Sequence, residues 1–327
     1  MPKPVVGPEP VVRTVLGDVS PAALGAVDYH EHLFQTSPLL PGDELADEAR
    51  SGQEAVSLRT AGITTMVEAT PAGLGRDVEA VARISAATAL QVVHVTGAHH
   101  AGHYAADHEL LGATEAELAA RSVADVTTGF DLGDRTACAP DGRPVRAGMV
   151  KAALRYWAIG PFERRALAAA ATTHRTTGVP VMVHLDHGSA AHEVLDLLAT
   201  DGVPPDAVVL AHLDRLLDPG LHRDLAQRGA YLGYDGMARH REAPDSAIIA
   251  CLAATVADEA GAARVVLGGD VARASRYRAY GGLPGLDYLP TRFLPRLRAE
   301  LGAELTHRLT TDNPAALLGF TPREGTA

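Results

Sequence analysis

Residues 179–214, VPVMVHLDHGSAAHEVLDLLATDGVPPDAVVLAHLD, decide how the chain is read. Two apolar runs, VPVMVHLD (179–186) and AVVLAHLD (207–214), flank an Ala- and Leu-rich helical stretch, AAHEVLDLLATDG (190–202). Runs this apolar are strands covered on both faces, as in a parallel sheet with helices packed against it. The Gly that ends the helical stretch suits a helix C-terminus. Each run also carries a histidine, His184 or His212, towards its C-terminal end.

Outward from this unit the pattern recurs. Upstream lie VDYHEHLF (27–34), ITTMVEAT (63–70), LQVVHVTG (90–97) and AGMVKAAL (147–154). Downstream lie AYLGYDGM (230–237) and RVVLGGDV (264–271). Helical patterns such as RDVEAVARISAATA (76–89), PFERRALAAAATTHRTTG (161–178) and PGLHRDLAQRG (219–229) fill the gaps. Eight strand–helix units close a barrel better than they extend an open sheet. The expected fold is therefore α/β, a (β/α)8 TIM barrel with its site at the C-terminal face of the strands, and residues 1–327 form a single domain. Three segments fall outside the repeat: a short hairpin and turn at 11–25, an insertion at 101–146 after the third strand, and a loop at 272–300 after the eighth. The insertion begins with a helical part, HELLGATEAELAARSVADV (108–126). Both long segments follow strand C-termini, where barrel active sites are built. The ending TTDNPAALLGF (310–320) reads as an N-capped closing helix with Pro314 in its first turn.

The composition, 46% hydrophobic and 21% charged, is that of a globular protein. A net charge of −11 argues against nucleic acid as a partner but leaves room for an anionic small molecule, since local charge can oppose global charge. No apolar run reaches the length of about 18 residues needed for a membrane span, and MPKPVVGPEP (1–10) lacks the pattern of a secretory signal. Two cysteines, Cys138 and Cys251, fit a reducing cytoplasm.

The chemistry lies in polar residues on apolar strands. His30 and His32 stand two apart on the first strand, so both side chains point to one face, the lumen of a barrel. Alone they are as well read as a hydrogen-bonded pair. Lys151 sits in the otherwise apolar GMVKAAL, where an unpaired ammonium would be costly. His184, His212 and Asp270 lie towards the ends of the fifth, sixth and eighth strands. Six such residues converging on one barrel mouth suit Zn²⁺ or a similar transition metal.

This order of residues resembles the binuclear amidohydrolases and, within them, the phosphotriesterase family. The likeness runs through VRTVLG (12–17), GITTMVEATPAGLGRDVEAVARIS (62–85), GVPVMVHLDHG (178–188), VVLAHLDR (208–215), VVLGGD (265–270) and TDNPAALLGF (311–320). It implies two divalent ions, zinc by default with manganese or cobalt as alternatives. Lys151 would carry a CO2-derived carbamate that bridges them. His30, His32 and Asp270 would hold the more buried ion, and His184 and His212 the more exposed one. A hydroxide between the ions would be the nucleophile, and Asp270 would collect and deliver its proton. The family likeness also allows a homodimer.

The segments 232–246 and 267–289 are similar to a subgroup that opens phosphorylated sugar lactones. That resemblance implies phosphate contacts at Arg241 and Arg273, and at Arg276 where a tyrosine is expected. Arg239 and Arg278 would complete a basic cluster; its alternative is a solvated loop. In VTGAHHAGHY (95–104), His99 occupies the place of a tyrosine near the leaving group, and Tyr104 and Tyr277 are further pocket candidates. His100, His103 and His108 are expected on the surface, and Trp157 in packing. Asp186 and His187 are candidates to support the neighbouring ligand. The leading expectation is a lactonase or carboxylic-ester hydrolase acting on a small anionic, possibly phosphorylated sugar lactone. A phosphotriesterase or N-acyl amide hydrolase with the same metals, and a non-catalytic ligand-binding barrel, are the alternatives.

Overall fold

The computed structural model describes residues 9–323; the N-terminal segment read above lies outside it up to residue 8. A two-stranded antiparallel hairpin, β1 (Val12–Thr14) and β2 (Gly17–Val19), precedes eight parallel strands. These are β3 (Val27–Glu31), β4 (Thr65–Glu68), β5 (Gln91–Gly97), β6 (Met149–Leu154), β7 (Val181–Leu185), β8 (Val208–Ala211), β9 (Tyr231–Tyr234) and β10 (Val265–Leu267). They pair in sequence order, with helices between them, as a nearly closed (β/α)8 barrel. No ladder joins β10 to β3. The seam is held instead by Asp270 N–H donating to His30 O at 2.9 Å and Gly269 N–H donating to the Asp28 carboxylate at 3.3 Å.

The barrel interior is packed with Tyr29, Val67, Val95, Met149, Met182 and Val209. The hairpin and the closing helix seal its lower end, where Val12, Leu24 and Leu317 join the same cluster. A second apolar layer fills the space between the sheet and the surrounding helices. Several helices start on side-chain caps that the sequence supplies: Asp47, Asp77 and Asp218 accept backbone N–H groups of the first turn. Thr114 and Glu117 form a reciprocal capping box within the 101–146 insertion.

Two departures from the sequence reading follow from local constraints. The closing helix has no side-chain cap, because the chain is already helical from Ala303 and passes through a wide π turn at Arg308–Asp312. Pro314 has no N–H to offer the preceding turn, and such a widened turn accommodates it. Asn313 anchors this helix by donating to Ala262 O and Val265 O. Trp157, expected in packing, is 60% exposed, on a turn where its φ is +49°. Among the described residues no helix is long and apolar enough to cross a membrane.

Candidate metal centre

Simple alternation along β3 would put Val27 and Tyr29 in the lumen and turn His30 and His32 outward. The register shows how both reach the interior. Asp28 pairs with Met66 but Glu31 pairs with Glu68, so β3 carries one extra residue, a bulge. Parity switches there: Tyr29 faces the lumen below, and His30 and His32 face it above. Lys151 and His184 need no such device, since they follow Met149 and Met182 by two residues on straight strands. His212 and Asp270 stand just past β8 and β10 with φ of +66° and +41°. This left-handed backbone, costly for residues other than Gly, bends the chain so that both side chains aim across the barrel mouth.

Three of the donors meet at the spacing of metal ligands. Nε2 of His30 and of His32 lie 3.8 and 3.5 Å from Oδ1 of Asp270. Ligands bound at about 2.0–2.1 Å around one tetrahedral ion stand about 3.4 Å apart. Nδ1 of His184 and Nε2 of His212 form a second pair 2.7 Å apart, a hydrogen-bond distance, and would have to move apart to hold an ion between them. The far nitrogen of each ring is already engaged: His30 Nδ1 with Asp235 at 3.1 Å, His32 Nδ1 with Thr70 at 2.6 Å, His212 Nδ1 with Asp235 at 2.6 Å, and His184 Nε2 with Asp186 at 2.9 Å. Each partner can accept a hydrogen bond from the ring N–H, which leaves the lone pair of the opposite nitrogen for the centre, as carboxylates do around metal-bound histidines. Burial lowers the pKa of His32 to about 3 and of His212 to about 4, and holds His184 well below its ordinary value. All three are therefore neutral, the form that binds metal.

Lys151 is buried, and its Nζ donates to Ala69 O at 2.8 Å. Burial lowers its pKa to about 8, so a sizeable neutral fraction, the form that adds CO2, exists at physiological pH. Gly97 faces it across the ladder with φ +91°, and a Cβ there would collide with the Lys151 carbonyl. Only glycine lets β5 approach so closely. Burial works against ionisation of Asp270, but the Arg239 guanidinium beside it and a hydrogen bond from His32 hold the carboxyl well below the usual range.

The centre opens into a cavity of about 390 Å³ lined also by His99, His103, Arg215, Arg239, Glu242 and Arg273. Arg215 and Arg239 each donate to Oδ2 of Asp270 at 2.7 Å. The other sequence candidates are placed as follows. Arg273 lines the cavity, 52% exposed. Arg241 is exposed and outside the lining. Arg276 lies behind the wall, donating weakly to Asp270 O and Met237 O at 3.4 Å, and burial lowers its pKa to about 10. Arg278 pairs with Asp287 at the surface. Tyr104 is buried beneath the lining: its hydroxyl accepts from His99 N–H at 2.8 Å and donates to Ala72 O at 3.0 Å, so it holds the His99 loop. Tyr277 is fully buried and donates to His32 O. His187 is exposed. His100, His103 and His108, expected on the surface, are buried or half-buried because that loop folds back across the barrel mouth.

Sequence reasoning missed Arg215 and Asp235. Asp235 follows β9 as Asp270 follows β10, and that shared position at a strand's C-terminal end was the available signal. Arg215 comes three residues after His212, inside the motif VVLAHLDR in which the sequence reading assigned a role to His212 alone.

An eight-stranded barrel with this many buried donors at its C-terminal mouth falls in a class, the barrels whose residues could hold a metal ion there. The comparisons narrow it: residues 10–318 match the model of the phosphotriesterase family, and the chain belongs to that family. It is 30% identical over 323 residues to a phospho-furanose lactonase of Mycoplasmopsis agalactiae, covering 94% of this chain and 91% of that protein. Among solved structures it is similar to a lactonase from Listeria monocytogenes, with a TM-score of 0.84, 30% identity and coverage of 95% and 99% of the two chains. The phosphotriesterase homology protein from Escherichia coli, solved with phosphate in its active site, superposes with a TM-score of 0.80 at 27% identity, over 90% and 99% of the chains.

Proposed function

We propose that the protein is a binuclear metal-dependent lactonase that opens a small anionic, phosphorylated sugar lactone. The observation that carries this reading is a single cavity holding metal donors on its floor and Arg215, Arg239 and Arg273 on its wall. The lactonases among its relatives support the reaction, and the arginines support the charge of the substrate. The donor set fits two divalent ions: imidazole and carboxylate favour zinc, with manganese or cobalt able to use the same ligands. When bound, such ions lower the pKa of a coordinated water and polarise the carbonyl under attack. His30, His32 and Asp270 would hold one ion and His184 and His212 the other, with carboxylated Lys151 shared between them.

The chain's own residues then have distinct tasks. Asp270 takes the proton of the attacking water and returns it to the leaving oxygen of the ring. Asp235 keeps the rings of His30 and His212 aligned. The arginine wall binds the anionic group and orients the carbonyl over the metals. The two free cysteines, one exposed and one buried, support the cytoplasm as the place of action.

The test is a lactone panel of phosphorylated and unphosphorylated pairs, run on the parent enzyme and on arginine variants. A charge-assisted contact contributes about 1.5–3 kcal/mol, so Arg273→Ala, which leaves the contacts of Asp270 intact, should lower kcat/KM on the phosphorylated lactone by about 10- to 150-fold. The neutral partner should change far less. Arg241→Ala, whose side chain lies away from the cavity, should be nearly silent. Equal losses on charged and neutral lactones would remove the phosphate assignment.

A further inference from the structure

We propose that the segment after β5, residues 99–103, presents a wall of uncharged hydrogen-bond donors, His99 and His103, that recognises a hydroxyl-bearing part of the substrate, and that it is not a third metal site. The identity of the ligand rests on the lactonase reading above; the donor character rests on local geometry alone.

Ring nitrogens of His99, His100 and His103 lie within 4.8 Å of one another, a spacing that a metal would accept. The position of the ring protons decides between the two readings. In the metal-centre histidines the far nitrogen keeps its proton and donates it to a carboxylate or hydroxyl oxygen, so the lone pair on the other nitrogen faces inward. In this trio the arrangement is reversed. The backbone N–H of His100 donates to Nδ1 of His99 at 2.9 Å, and that of Gly102 donates to Nδ1 of His100 at 3.2 Å. A backbone N–H aimed at Nδ1 fixes the lone pair there, which leaves the proton of a neutral imidazole on Nε2. For His103 the partner is Ser37 Oγ, 2.9 Å from Nδ1. That oxygen accepts from Leu39 N–H at 3.2 Å and has one proton for two acceptors, Nδ1 and His103 O at 3.3 Å. With that proton on the nearer acceptor, Nδ1, the same tautomer results. An Nε2–H group donates and cannot ligate a cation.

These donors have somewhere to point. His99 and His103 both line the catalytic cavity, their ring centroids 3.8 Å apart, and no group among the described residues accepts from either Nε2. Their place in the barrel says what they meet. β5 and β9 stand four strands apart in an eight-stranded barrel, so the histidines face the arginine side across the metal centre. The arginines suit an anion; uncharged N–H donors opposite them suit hydroxyl oxygens. The substrate so described is an oxygen-rich ring with its charge at one end and hydroxyls at the other.

The test combines three measurements on metal-loaded protein. Long-range nitrogen–proton NMR of histidine-labelled enzyme should place the protons of His99 and His103 on Nε2. Metal analysis should give two equivalents in the parent, in His99→Phe and in His103→Phe alike. A phosphorylated lactone and its deoxy counterpart should differ in kcat/KM by about 10-fold or more in the parent. Both Phe variants should collapse that preference to within about threefold, and His103→Gln, which keeps a donor, should retain part of it. A third equivalent of metal lost on substitution, Nδ1 protonation, or equal losses on both lactones would each overturn the proposal. Refusal of both lactones by the parent would remove the substrate reading and leave the NMR and metal count to decide the donor wall.

Discussion

Asp235 is the residue on which most of the site's alignment converges. It is fully buried and engages His30, His212 and the hydroxyl of Tyr29 at once. Asp235→Asn would replace an acceptor with an amide that must turn one N–H towards a ring needing to donate. Metal affinity should fall by about 10- to 100-fold, the usual cost of losing such a partner, and excess metal should restore turnover. Unchanged metal content after dialysis would assign Asp235 a packing role only. Lys151 gives a second prediction at this scale. Lys151→Ala should lose bound metal and activity together, and short carboxylates should restore part of both by standing in for the carbamate. Full metal content in the Ala variant would remove the bridge.

At the scale of elements, the helix Pro219–Gln227 ties the barrel wall to the loop that carries His212. His222, on that helix, is buried with Nδ1 2.6 Å from the Tyr234 hydroxyl and Nε2 3.1 Å from Leu213 O. Burial lowers its pKa from 6.5 to about 4. Because the folded value lies below the unfolded one, the unfolded chain binds the proton more readily. The stabilisation is complete above pH 6.5 and is lost as pH falls through about 4, a change on the order of 3 kcal/mol. His222→Gln should flatten the dependence of unfolding free energy on pH across that window. A denaturation series with the same slope in both proteins would assign the acid sensitivity elsewhere.

For the molecule as a whole, the donors come from β3, β6 and β7 and from the ends of β8 and β10, so bound ions would cross-link five of the eight strands. They would also reinforce the seam between β10 and β3, where Asp270 and His30 supply ligands and the ladder is missing. At about 100-fold above the dissociation constant a ligand adds about 2.7 kcal/mol to stability. Chelation should therefore lower Tm by about 4 °C for each ion removed, and readdition of metal should restore it. An identical melting curve with and without chelator, on protein shown to have held metal, would place the donors outside the cooperative unit.

The sequence by itself determined the repeat of eight apolar strands and their helices, because burial on both faces writes itself into local composition. It also carried the types and order of the polar residues at the strand ends, since a histidine or lysine on an apolar strand stands out without any coordinates. Which way those residues point was decided by tertiary structure. The bulge that turns His30 and His32 inward depends on the register of β3 against β4, and the left-handed turns at His212 and Asp270 are held by contacts across the barrel mouth. The arginines show the same division. Their clustering was legible, but Arg239 rather than Arg241 lines the cavity, and Arg215 joins it from another loop. Loop residues two apart in sequence carry no periodicity to fix their direction, and only the packed neighbours of each side chain settle it.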